Sequence, residues 1–376
     1  MFSSLRRILA VFLKELIQMR RDRMTIGMIL AIPIMQLVMF GYAINGDPRN
    51  LPTVLRVHEH SVFSRSLITA LENTRYFRIV ASTTSEARAS TMLANGEAAF
   101  VLTVPAGFSR AILRGERPSV LLEADASDPA ASANAVSALQ QLPASVFQQD
   151  LKDAGITLPP SAPPFDIVVQ RRYNPEGVTA LNIVPGLIGV ILTMTMTLVT
   201  SMAVVKEFER GTMENLLAMP AKPHEVMFGK ILPYVLLGYA QVVIIFAAAR
   251  FLFDVPMAGS YSGLLLIVGI FIAANLSVGF TLSTLATNQA QAMQMTMFFF
   301  LPSILLSGFM FPFRGMPNWA QWIGEVLPIT HFLRLVRAIM LKGTPIAEMA
   351  DELWALLAFT AVMWVVAMLR YRRTLD

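Results

Sequence analysis

Apolar residues recur at Leu5, Ile8, Leu9, Phe12, Leu13, Leu16 and Ile17, the i, i+3, i+4, i+7 stripe of one helical face. Arg6, Arg7, Lys14, Gln18 and Arg21 fill much of the remainder. This pattern predicts a basic amphipathic helix over 1–23, lying in a membrane interface. A solvent-facing helix packed on a core is the alternative, and the apolar run that follows argues against it. Nearly uninterrupted apolar runs then occupy 24–43, 178–205, 231–253, 263–286, 292–311 and 353–369. A helix needs roughly 17–25 such residues to cross a bilayer, so six spans are expected. The run 178–205 exceeds the hydrocarbon core, so its helix should tilt or project beyond it. Pro302 should kink the fifth span. The first run ends in the small-x-small pair Gly41 and Ala43, as a cleaved signal peptide would. Its apolar run and preceding basic region are both too long for one, so an uncleaved anchor is expected.

Composition agrees with the pattern. Hydrophobic residues make up 55% of the 376 residues and charged ones 15%, against roughly 25% charged in soluble domains. The net charge of +5 does not point to nucleic acid, because the bases flank the apolar runs. Arg6, Arg7, Lys14, Arg20, Arg21 and Arg23 precede the first span, and Lys206, Arg210, Lys222 and Lys230 lie between the second and third. Arg370, Arg372 and Arg373 follow the last. With an even number of spans these groups share one side, which the positive-inside rule makes cytoplasmic. Both termini are then inside and 44–177 outside. The chain has no cysteine, which excludes disulfides, thiol catalysis and thiolate metal sites.

The interval 44–177 is long enough for a domain. Strands are expected at 53–57, 77–81, 98–104, 119–123 and 167–169, and helices at 64–73, 85–95, 108–114 and 130–154. That alternation implies a small α/β domain. No Gly-x-Ser-x-Gly elbow or His-Glu-x-x-His helix occurs in it. Asp125 and Asp128 read as turn residues leading into a helix rather than as a working carboxylate pair. His58 and His60 would share one face of a strand, but two histidines alone make a weak case for metal. The segment 312–350 is too apolar for a free loop. Trp319, Trp322, Ile323 and Val326 form one helical face, and Pro328 starts a second helix. Two readings stand: short helices dipping into the outer leaflet, or a surface helix anchored by tryptophan.

The expected spans contain no Asp, Glu, Lys or His, and one Arg, Arg250, near a membrane face. Ion-coupled carriers commonly place ionisable groups at mid-membrane. The polar residues available to line a pathway are mild: Asn182, Thr193, Thr197, Gln241, Asn275 and Ser277. Such residues more often bond between helices. The chain also lacks a Gly-x4-Gly-Lys-Ser/Thr phosphate loop, so it is not itself a P-loop ATPase. Energy for transport must then enter from a partner. An ion-coupled carrier and a receptor or scaffold sensing through the outer domain are the competing readings.

The segment 206–230, KEFERGTMENLLAMPAKPHEVMFGK, carries far more structure than a turn requires. Thr212 is placed to N-cap a helix over 213–219, with Met213, Leu216 and Leu217 on one side. Glu207, Glu209, Gly211, Thr212, Glu214, Leu216, Leu217 and Pro220, followed by Gly229 and Lys230, resemble the signature of ABC-2 type exporter permeases of the multidrug-type subfamily. Ser307, Gly308, Phe311, Pro312, Met316, Pro317, Pro328, Arg337 and Leu341-Lys342-Gly343 resemble that family's segment before the last span. The layout matches over essentially the whole chain, although Val57-His58-Glu59-His60 stands where relatives often have an Asp-rich turn.

The resemblance implies an α-helical membrane protein with six transmembrane helices plus a small extracytoplasmic α/β domain between helices 1 and 2. It implies a bacterial inner-membrane location and a pathway formed with a second permease copy or a sister permease. ABC ATP-binding subunits would dock on the coupling hairpin 206–230 and hold the ATP and magnesium, leaving no cofactor in this chain. Members with a large outer domain resemble exporters of drug-like or amphipathic cargo that work with a periplasmic adaptor and an outer-membrane channel. Pro317, Pro328, Arg337 and Gly343 mark the outer segment. Membrane lipids are expected partners and nucleic acid is not.

Overall fold

The computed structural model describes residues 48–153, 163–209 and 223–373. The amphipathic start, the first expected span and the sequence from Arg210 to Lys222 lie outside the described residues. The N-terminal part is a five-stranded sheet flanked by helices, in the order β1 (Leu51–Val57), α1 (Val62–Asn73), β2 (Phe77–Ser82), α2 (Glu86–Ala94), β3 (Phe100–Val104), α3 (Phe108–Leu113), β4 (Ser119–Asp125), α4 (Pro129–Gln141), α5 (Gln148–Asp153) and β5 (Asp166–Arg172). The spatial strand order is β2-β1-β3-β4-β5. β3 pairs antiparallel with β4, and the other neighbours are parallel. β3, in the middle, is buried at every position, as a strand covered on both faces should be. Phe63, Phe108, Phe147 and Phe165 interlock edge to face or tilted on one side of the sheet, with centroids 5.2–6.1 Å apart.

Local chemistry sets these boundaries. Ser61 and Ser64 form a reciprocal capping box at the start of α1, and Ser85 caps α2. The single helix expected over 130–154 is instead two. Leu142–Ala144 is a 3-10 turn containing Pro143, which has no N–H for the helical ladder and crowds the carbonyl four residues back.

The second part is helical: α6 (Thr179–Glu209), α7 (Pro223–Phe253), α8 (Tyr261–Ser283), α9 (Gln289–Leu306), α10 (Asn318–Val326), α11 (Pro328–Arg337) and α12 (Ala350–Arg373). Four helical stretches among the described residues are long and apolar enough to cross a membrane: Thr179–Lys206, Pro233–Phe253, Tyr261–Ser283 and Ile346–Arg370. α9 corresponds to the expected fifth span but is not among them. It carries Gln289, Gln291 and Gln294 in its first two turns and stops at Leu306, a length of about 27 Å. α6 runs to Glu209, three residues beyond the stretch Thr179–Lys206.

α8 is the hub of this bundle. Gly279 lets α6 approach closely: a Cβ there would stand 2.8 Å from the Thr197 carbonyl oxygen and from Thr200 Cβ. Phe271 stacks on Phe332 of α11 at 4.1 Å, tying the outer segment into the core. α11 is almost wholly buried, whereas α10 turns Trp319, Trp322, Ile323 and Val326 outward. The two helices expected in 312–350 therefore differ, one being a core element and the other presenting an apolar surface.

Candidate functional site

The structure scatters the expected pathway residues along the bundle and connects only some of them. Thr193 and Thr197 lie on one buried face of α6 together with Thr200 and Ser201, at helical spacing. Thr193 donates to the Gly189 carbonyl (2.8 Å), Asn275 to Phe271 (2.9 Å) and Ser277 to Ala274 (2.6 Å). Each thus bonds within its own helix. Bonds between helices come from Thr195 with Gln241 (2.9 Å, α6 to α7), Ser201 with Thr296 (3.0 Å, α6 to α9) and Tyr239 to the Leu265 carbonyl (3.1 Å, α7 to α8). Asn182 Oδ1, Thr197 Oγ1, Thr200 Oγ1, Asn275 Oδ1 and Gln294 Oε1 are buried without a hydrogen-bond partner. Unpaired buried oxygens are costly, about 1–3 kcal/mol each. They mark α6, α8 and α9 as the elements with unused polar capacity.

Of the coupling residues, Gly211, Thr212, Glu214, Leu216, Leu217 and Pro220 lie outside the described residues. Glu207 falls in α6, and Gly229 and Lys230 fall in α7. Glu209 is exposed at the end of α6 and accepts hydrogen bonds from the backbone N–H (3.0 Å) and the side-chain amide of Gln289. These bonds hold its carboxyl below the usual carboxylate range. The far ends of α6 and α9 are thereby clasped next to the expected docking segment.

At the opposite end the α/β domain meets the bundle. Lys342 Nζ, itself buried, pairs with Asp125 Oδ2 at 2.6 Å, reaches the Leu93 carbonyl at 3.4 Å and lies 5.3 Å from the Tyr173 ring centroid. Burial and the Asp125 charge push the Tyr173 hydroxyl above its ordinary pKa. Asp125 Oδ1 also accepts from Ser127 N, so the turn role expected of it is real and is only half its work. Arg314 donates to the Gly96 carbonyl at 2.7 Å. These contacts wall a cavity of about 960 Å³.

The outer-segment residues frame the bundle side of this junction. Pro317 N-caps α10 and Pro328 opens α11. Gly343 takes the left-handed conformation (φ 71°) that ends the helical turn Ala338–Lys342, where a Cβ would crowd the Ala258 carbonyl. Arg337 lines the cavity, and its Nε is buried without a hydrogen-bond partner. Beside it is a network no sequence pattern announced. His331 contacts Glu352 (2.5 Å) and the Glu325 carbonyl (2.8 Å), while Arg334 bridges Glu325 (2.6 Å) and Glu352 (2.9 Å). Burial alone would lower the His331 pKa, but its hydrogen bonds to Glu352 and Glu325 and the Glu352 charge raise it. His58 and His60 are exposed just past β1, and among the described residues no group of three metal-ligating side chains comes together.

A bundle of apolar helices carrying an α/β domain at one end, with unpaired polar groups in its interior, defines a multi-pass membrane protein. The comparisons with known proteins give the rest. Residues 23–369 match the model of the ABC-2 family transporter proteins. "Probable multidrug ABC transporter permease YbhS" of Escherichia coli K12 is 30% identical, over 99% of this chain and 98% of that protein. "Probable multidrug ABC transporter permease YbhR" from the same organism is 27% identical, over 98% of each. "ABC transporter G family member 20" of Dictyostelium discoideum is 25% identical, over 95% of this chain and 49% of that protein. The chain belongs to the ABC-2 transporter family and is a membrane permease subunit of an ABC transporter. ATP-binding subunits are the partners that this family implies.

Proposed function

We propose that this chain is the transport half of an ATP-driven exporter in a bacterial inner membrane. In this reading it crosses the bilayer six times, keeps both termini in the cytoplasm and carries the α/β domain outside. Two copies, or one copy and a sister permease, form the pathway. Two ATP-binding subunits, which hold the ATP and magnesium, dock on 206–230. An adaptor and an outer-membrane channel complete the route outward. The cargo is drug-like or amphipathic.

The observation that carries this reading is the end-to-end match to a probable multidrug permease, over 99% of this chain and 98% of that protein. The buried polar face of α6 supports it, because its residues are uncharged, whereas ion-coupled carriers commonly place ionisable groups at mid-membrane. The Glu209–Gln289 clasp supports the placement of coupling, since a push on 206–230 would bear directly on the ends of two helices.

The test is reconstitution with the ATP-binding subunits. Glu214→Lys and Leu217→Asp are expected to leave the chain inserted and to abolish its stimulation of ATP hydrolysis. Stimulation at the wild-type level in both variants would refute docking at this segment. Flux through the purified chain alone in ATP-free liposomes would refute ATP-driven export.

A further inference from the structure

We propose that the cavity between the α/β domain and the bundle binds the anionic headgroup of a membrane amphiphile, taken from the leaflet on the domain's side. The cavity holds about 960 Å³ and is lined from both bodies, with Arg49 and Arg78 contributed by the α/β domain and Arg314, Arg334, Arg337 and Lys342 by the bundle; Arg49 lies over the Tyr76 ring. Two of these cations are already matched: Arg334 by Glu325 and Glu352, and Lys342 by Asp125. Arg78, Arg314 and Arg337 have no carboxylate within ion-pair distance among the described residues, although Asp125 acts on Arg314 from farther off, and Arg337 Nε is buried with nothing to donate to. The lining carboxylates not paired with Arg334 or Lys342 are Glu97, which is exposed, and Asp128, which has contacts of its own.

Arg314 is exposed and lines the cavity. Even so, the surrounding protein and the like charges of Arg334 and Arg78 lower its pKa, against the pull of Asp125. The like charges of Arg78 and Arg334 act on Arg314, and an anion between them relieves that repulsion. Their planar forks fit phosphate oxygens in pairs.

The source of the anion follows from α10. Gln321 and Glu325 line the cavity, while Trp319, Trp322, Ile323 and Val326 on the opposite side of the same helix are exposed. Tryptophan on an amphipathic helix settles at headgroup depth. α10 therefore sets the cavity at the level where lipid headgroups lie, with its apolar side in the acyl chains. Phe313 and Met316, also in the lining, give the first carbons of a tail an apolar contact.

The full-length chain, purified without ATP-binding subunits, is titrated in detergent with phosphatidylglycerol or phosphatidylcholine and read by native mass spectrometry. Because this readout needs neither ATP nor transport, it stands or falls separately from the exporter reading. Phosphatidylglycerol is expected to bind about tenfold more tightly, and Arg78→Gln or Arg314→Gln to lower its affinity by roughly tenfold, the weight of one charge-assisted contact. Both residues are exposed, so an unchanged melting temperature verifies that each variant is folded. Arg88→Gln removes the same charge from an exposed position of α2 outside the cavity and is expected to change nothing. Equal affinity for the two lipids, or an equal loss in Arg88→Gln, overturns the proposal. Displacement of the lipid by glycerol 3-phosphate at matching concentration also overturns it, because the ligand would then be a soluble phosphate.

Discussion

Replacing Lys342 by methionine would keep the side-chain volume and strand the Asp125 carboxylate at the domain junction. The two side chains are 7% and 15% exposed and 2.6 Å apart, so the pair is closer to a buried than to a surface ion pair. Truncating one member of a buried pair costs about 3–5 kcal/mol, because the other charge is left without compensation. The residual exposure of Asp125 moderates this, and a loss of about 2–4 kcal/mol is expected for Lys342→Met. Asp125→Asn should lose a similar amount. The double variant removes both charges and should lose less than the sum, with a coupling energy of at least about 1.5 kcal/mol, the scale of a hydrogen bond to a charged group. Denaturant unfolding in mixed micelles, followed through the α/β domain, measures all three. A coupling below about 0.5 kcal/mol, the value for solvent-exposed pairs, would refute the claim that this contact fastens the domain to the bundle.

Gly279→Val should destabilise the bundle by about 1–3 kcal/mol through overpacking, since its Cβ would meet the Thr197 carbonyl and Thr200 at 2.8 Å; unfolding in mixed micelles reads this directly. His331 has a raised folded pKa, so the stability it contributes is complete below its unfolded value of about 6.5. That contribution is lost as pH rises through the folded value. Melting temperature should therefore fall as pH climbs above about 6.5, and His331→Gln should flatten that slope.

What the sequence disclosed and what it withheld divide along sequence separation. Alternation and capping are local signals, so every strand of the sheet was legible, and the one merged helix failed on a single residue, Pro143. The apolar stretches of α6, α7, α8 and α12 were legible, where long apolar runs leave few alternatives, but α7 begins at Pro223, well before its run, and α12 extends past both ends of its own. The junction was not legible, because Lys342 and Asp125 are 217 residues apart and neither is unusual among its neighbours. Asp125 looked like a turn residue, and the Asx bond to Ser127 confirms that it is one. Its second oxygen was free for a partner that only the fold could supply. The same holds for Arg334, whose carboxylates come from α10 and α12. The pathway residues were legible as polar positions, but not in their pairing: hydroxyls in an apolar helix can satisfy themselves one turn back, as Thr193 and Ser277 do.

The two ends of the bundle are joined by the helices that bear on both. At the domain end, buried Asn174 accepts from Val178 N (2.8 Å) and donates to the Val178 carbonyl (3.0 Å), which locks the corner between β5 and α6. At the far end Glu209 is clasped to Gln289. Between them α6 touches α9 through Ser201 and Thr296. Ser201 is eight residues from the clasp and 22 from the start of α6 at Thr179, or about 12 Å and 33 Å along the axis. For rigid helices pivoting at that contact, a displacement at Glu209 is therefore enlarged roughly threefold where α6 meets the α/β domain. Pro185, inside α6 on the long arm, is the point where bending would take up part of that motion, since it removes a rung of the helical ladder. Under the docking proposed for 206–230, the short arm of α6 would lie on the side of that segment and the long arm on the side of the cavity, so a displacement of Glu209 would be enlarged at the junction.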